Sequence, residues 1–291
     1  MNYRNLRIAV RIAACPLDRS VIAFSDMSKI LVAIALIVPS LSGQSITALS
    51  LDQQEQFLRV AVVKQIHGAK KGITGTKRAT LSDGTMTHDA SIQTIDEERS
   101  KYETPRGTEM NFRDFYGFNI AGYRLGRTLG LDSMIPPSIE RKFEGKSGAW
   151  TWWIDDVQMD EGERLKRKVE APDKDRWSRQ YLIMSVFDQL IYNTDRNATN
   201  YLYDKDWNFW IFDHSRAFRT HTQVMEKKAL DRCDRQLLKR MKELQAADVK
   251  RELGRWLRPG ELRGLMARRD AIVAYFEAAS PAKLYDFLPA R

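Results

Sequence analysis

The chain has 291 residues, 43% of them hydrophobic, which excludes a disordered polymer and leaves room for one large domain or two lobes with their own cores. Its formal net charge is +9, but the basic residues alternate with acids, as in E-R-L-K-R-K-V-E at 163–170, so the charge reads as solvated helix surface and not as a nucleic-acid-binding face. Two cysteines, Cys15 and Cys233, and four histidines leave no zinc-finger spacing.

In chain order, residues 1–48 read as an N-terminal extension. Residues 30–38 form an apolar run preceded by Lys29 and followed by Pro39 and small polar residues. The run is short for a bilayer span and suits a signal-peptide core that starts at Met27. A membrane anchor and a buried helix are the other readings of it. The signal peptide predicts export to the periplasm or the medium; the alternatives predict a membrane-anchored or a cytoplasmic protein.

Residues 49–157 read as β-rich. Residues 57–63 predict a strand, and a glycine-bearing segment follows at 68–75. Residues 76–81 and 86–95, joined by Ser82-Asp83-Gly84, predict a hairpin. Residues 97–108 are charged, contain Pro105 and Gly107, and predict a loop. Apolar residues at helical spacing predict a helix over 111–129 that stops at Gly130, with Glu109 and Asp114 as solvated acids near its start. Residues 135–141 and 149–155 predict two strands joined by 144–148.

Residues 158–291 read as mainly helical. A helix from Asp175 to about Ile191 is apolar nearly all round, as a buried helix is. Residues 208–212 predict a short strand. Leucines and methionines at helical spacing fill 237–244 and 262–276, and Ser280-Pro281 predicts one more helix start. A β-rich lobe followed by a helical lobe predicts an α+β, two-lobed protein with its ligand site in the crevice.

The chemistry concentrates in residues 187–218. A D-R-x-x-x-N cluster, Asp195, Arg196 and Asn200, follows the buried helix, and Asp213 ends the next apolar run. A hairpin turning at 204–207 would bring Asn200 and Asp213 side by side. Hard oxygen donors at adjacent strand ends suit Mg²⁺, which takes one or two protein oxygens and completes its shell with phosphates and water. Asp195 is then placed to orient an acceptor, since phosphoryl transfer needs metal, positioning and one carboxylate.

The spacing of Asp195, Asn200 and Asp213 resembles the catalytic loop and metal-binding Asp of the protein-kinase-like superfamily. D-R-N-A-T-N and F-D-H-S-R-A-F look most like its divergent branch of phosphatidylinositol 3-/4-kinases and four-jointed-type secretory-pathway kinases. The resemblance implies a two-lobed kinase-like fold using ATP with Mg²⁺ or Mn²⁺, with Asp195 and Arg196 catalytic and Asn200 and Asp213 holding metal. It implies a phosphate loop containing Gly72 and Gly75, a hinge at Trp153, Ile154 and Asp155, and Glu109 as the acid that pairs with a phosphate-binding lysine. This chain has Gln93 near that lysine's place; Lys70, Lys71 or Lys77 could supply the charge. An inactive, pseudokinase-like binding module is the alternative. The acceptor is open among protein, lipid, sugar and small molecule; nucleic acid is not expected as a partner, and a membrane only through the N-terminal segment.

Overall fold

The first element departs from expectation. Residues 57–60 do not open a strand; they close a helix, α1 (Leu51–Val60), and strand β1 (Val62–Gly68) follows it. The Ser50 side chain accepts from the Gln53 N–H, and the Gln53 side chain accepts from the Ser50 N–H at 2.8 Å. This capping box satisfies two donors that a helix start leaves orphaned. Phe57, Leu58 and Ala61 then share a buried face. The β-branched residues at 60, 62 and 63 disguise that helical spacing as alternation. The computed structural model describes residues 49–68, 76–104 and 107–290, which belong to the unit Ala48–Arg291. Residues 30–38 and the Met27 start lie outside the described residues, as do Lys70, Lys71, Gly72 and Gly75.

The hairpin around Gly84 forms as expected, from β2 (Lys77–Ser82) and β3 (Thr87–Gln93), with Ser82 opposite Thr87. The Asp83 carboxylate caps the turn by accepting from the N–H groups of Thr85 and Met86. β6 (Ser138–Phe143) and β7 (Lys146–Trp152) also pair as expected and complete an antiparallel sheet of order β1-β2-β3-β7-β6. α1 covers one face of it. Between them, Phe57, Leu58, Ala79, Leu81, Ile92, Ile139 and Trp150 make a small core.

Residues 97–108 are the second correction. They belong to a two-stranded hairpin, β4 (Asp96–Thr104) and β5 (Gly107–Phe115). Much of this hairpin stands in water, so its strands carry charge on both faces, and the period-two signal of a half-buried strand is missing. Tyr102 stacks on Phe112 across the pair, with ring centroids 4.1 Å apart. The helix expected from residue 111 starts later, as α2 (Gly117–Thr128), because β5 continues to Phe115. Its predicted stop holds: Gly130 lies at φ 74°.

The second half is helical around a small sheet. β8 (Val157–Asp160), β9 (Tyr201–Asp204) and β10 (Phe209–Ile211) form an antiparallel three-stranded sheet. α3 (Glu161–Arg167) and α4 (Lys174–Ile191) pack against it, and α5 (Arg235–Glu243), α6 (Ala246–Leu253) and α7 (Pro259–Glu277) complete the helical region, with α7 packed on α4, α5 and α6. Ser280 caps a single 3-10 turn, Pro281–Lys283, where a helix start was expected. α2 donates Phe118, Ile120, Tyr123 and Leu125 to this second, larger core. It is also tied back to α1, because Glu55 accepts from Tyr123 at 2.8 Å and from Arg127 at 2.8 Å. The architecture is α+β, with a β-rich region and a helical region, as the sequence predicts. Among the described residues no helix is long and apolar enough to cross a membrane.

Candidate active site

The acids converge because of one hairpin and one arginine. β9 and β10 pair with Ile211 opposite Tyr201, and the Phe212 N–H donates to the Asn200 carbonyl at 3.3 Å. The ends of the two strands, Asn200 and Asp213, are therefore neighbours. Arg196 fastens both. Its Nη1 donates to the carbonyls of Asn200 and Phe212, each at 2.7 Å. Its Nε and Nη2 grip the Asp188 carboxylate at 2.9 and 3.0 Å. Both partners are largely buried, so this bidentate pair is rigid as well as charged. Asp188 lies in the largely apolar second half of α4, where an acid is out of place, and that was the sequence signal for it.

Asp195 and Asn200 are coupled through the backbone. The Asn200 side-chain amide donates to the Asp195 carbonyl at 3.0 Å, which turns the Asn200 Oδ1 toward the opposite side. Asp213 sits in the left-handed region at φ 55°, a conformation that Asp tolerates better than most residues. His214 follows it and is fully buried against α2. A Cβ on Gly122 would lie 2.6 Å from the His214 ring, so only glycine fits there. Burial, with Arg196 beside it, holds the His214 pKa well below the usual histidine range. The ring is neutral, and its Nδ1 accepts from Arg196 Nη2 at 3.1 Å.

Across from Asp213 stands Gln93, the last residue of β3. Its Nε2 donates to Asp213 Oδ1 at 3.4 Å, and its Oε1 accepts from the Asn119 side chain on α2. The Asn119 Oδ1 accepts in turn from the His214 N–H at 2.6 Å. The partner facing Gln93 from the helix is thus Asn119, a residue that sequence reasoning missed; a lone amide in an apolar helix was its only signal. Glu109, expected at the start of this helix, is instead a β5 residue. It pairs with Arg219 at 2.5 Å and with Arg216 at 3.8 Å.

Asp114 also departs from expectation. It is buried, where a solvated acid was expected. Burial, then repulsion from Asp213 and Asp195, raises its pKa, while a Ser215 hydroxyl opposes the shift. Asp195 and Asp213 both lie within electrostatic reach of Asp114, and Arg216 partly offsets their charge. Among the described residues no group of three or more His, Cys, Asp or Glu forms a cage for a metal. The donor set fits Mg²⁺ all the same, since that ion needs only one or two protein oxygens, here Asn200 and Asp213.

The other residues expected to contact nucleotide lie on β2 and in the segment after β7. Lys77 pairs with Glu144 at 3.2 Å. The Trp153 N–H donates to the Asp89 carbonyl at 3.1 Å, and its ring lies under the Arg78 guanidinium at 4.2 Å. Asp155 accepts from His88 at 2.9 Å, and His88 stacks on Trp152. A cavity of about 260 Å³ is lined by Ile154, Asp155, Pro137, Trp152 and Trp210, but not by Asp195, Asn200 or Asp213.

No protein-family model and no curated protein matches the chain by sequence. Among solved structures it is similar to the crystal structure of a Helicobacter pylori proinflammatory kinase, CtkA. The identity is 10% and the TM-score 0.47, over 76% of this chain and 98% of that chain.

Proposed function

We propose that the protein is a kinase-like phosphotransferase of the divergent branch its sequence resembles, binding ATP with Mg²⁺ or Mn²⁺ and transferring the γ-phosphoryl group to a hydroxyl acceptor. One observation carries the reading: Asp195, Asn200 and Asp213 meet at the end of one hairpin, with Arg196 fixing the loop that holds them. When bound, the metal neutralises phosphate charge. Asn200 and Asp213 would hold it. Asp195, more exposed than buried Asn200, orients the acceptor hydroxyl and takes its proton. Arg196 is a positioning residue, because all three of its guanidinium nitrogens already serve protein acceptors.

The test separates binding from turnover. Asp213→Ala is expected to abolish metal-dependent ATP binding in isothermal titration. Asp195→Ala is expected to keep that binding and lose transfer from γ-labelled ATP. Equal binding and turnover in both variants would refute the assignment. A second reading, a pseudokinase that binds nucleotide without transfer, is favoured by the neutral Gln93–Asn119 contact. It predicts metal-dependent binding with no labelled product from any acceptor class.

A further inference from the structure

Gln93 puts a neutral amide where Asp213 faces β3, and the charge that builds on a transferring phosphoryl group needs a cation. We propose that Arg216 supplies it, as a catalytic residue acting on the transferring group. The inference rests on the reading of this site as a phosphotransferase.

Three observations select Arg216 from the surrounding arginines. The first is position: Arg216 Nη1 lies 3.4 Å from Asp195 Oδ1, three residues after Asp213. The second is fixation. The Arg216 carbonyl accepts from the Thr194 hydroxyl at 3.0 Å, which ties it to the Asp195 loop. Its guanidinium rests 5.0 Å from the Phe112 ring and 5.4 Å from the Tyr102 ring, both on the β4–β5 hairpin. The third is loose pairing. Glu109 gives its close contact to Arg219 at 2.5 Å and stands 3.8 Å from Arg216. Arg216 Nε is buried without a hydrogen bond among the described residues, as are the Nε atoms of Arg113 and Arg219, so the longer ion pairs are what set Arg216 apart. The neighbours are committed elsewhere: Arg196 to Asp188 and two carbonyls, Arg113 to Glu261 at 2.8 Å.

In the step this implies, the acceptor hydroxyl gives its proton to the Asp195 carboxylate while its oxygen bonds to the γ-phosphorus. The bond from that phosphorus to the β–γ bridging oxygen breaks, and ADP leaves with the electron pair. Arg216 offsets negative charge on the oxygens of the group in flight. Before the acceptor enters, the same guanidinium keeps the Asp195 side chain oriented.

The test is a binding measurement on the full chain. ADP with Mg²⁺ is titrated with and without aluminium fluoride, which mimics the transferring phosphoryl group. The wild type is expected to prefer the fluoride complex by about 100-fold or more, as transition-state analogues do. Arg216→Gln is expected to lose nearly all of that preference, a drop of about 10²–10³, with unchanged affinity for ADP alone. Arg216→Lys is expected to recover part of it. If Arg216→Gln does not fold, Arg216→Lys decides: a reduced preference supports the proposal and an unchanged one overturns it. Retained preference in Arg216→Gln, or an equal loss of ADP affinity, also overturns it. So does a wild type that binds ADP without preferring the fluoride complex, although nucleotide binding then stands. A wild type that binds no ADP removes the functional reading itself.

Discussion

The two sides of the site are built differently. On the helical side, a buried guanidinium, Arg196, holds Asp188 and two strand-end carbonyls at 2.7–3.0 Å. On the sheet side, two neutral amides, Gln93 and Asn119, link β3, α2 and the backbone after Asp213. The first arrangement places oxygen donors rigidly. The second joins the two cores without bringing charge to the reaction centre. The contrast teaches that rigid placement of oxygen donors and supply of charge are carried by different residues; under the proposed function, the first would serve the metal and Arg216 would serve the phosphoryl group.

The largest expected effect breaks the rigid side. Arg196→Met leaves the Asp188 carboxylate buried without its ion partner and frees two carbonyls. It is expected to cost about 3–5 kcal/mol of stability, read by urea denaturation. The next sharpens the neutral side. Gln93→Lys, Asn119→Glu and the double variant form a cycle across the β3–α2 contact. If the two side chains share one site, the double variant is more stable than the sum of the singles by about 0.5–3 kcal/mol. A coupling near zero would mean that the amide contact does not join the two elements.

The smallest effect probes the acid cluster. Asp114 has a raised pKa in the folded protein, so the folded state holds its proton more tightly than the unfolded chain does. Its contribution is complete below the ordinary carboxylate range and is lost as pH rises through the raised value. Asp114→Asn is therefore expected to raise the melting temperature measurably at pH 7. The gain should vanish near pH 4. A gain that does not depend on pH would assign it to packing instead.

Legibility in the sequence followed burial. The β2–β3 and β6–β7 hairpins, α4 and the β9–β10 hairpin all bury a face, and each was readable from apolar spacing and turn residues. The β4–β5 hairpin was not, because much of it faces water and its charged residues follow no burial period. α1 was misread because a β-branched run outweighed a capping box at Ser50 and Gln53. The mislocated start of α2 follows from the missed β5, and it carried Glu109 to the wrong element.

By itself, then, the sequence determined the α+β class and the local cluster of Asp195, Arg196, Asn200 and Asp213, since short-range spacing along a helix end and a hairpin fixes which backbone positions are adjacent. Only the tertiary structure decided the rest of the site: that Arg196 turns inward to Asp188, that Asn119 and not Glu109 faces Gln93, that Asp114 is buried, and that Arg216 stands beside Asp195. None of those contacts follows from the spacing within one element, and those of Gln93 and Asp114 join segments far apart in the chain. Their partners are chosen by packing two cores against each other, and no periodicity in the sequence encodes that choice.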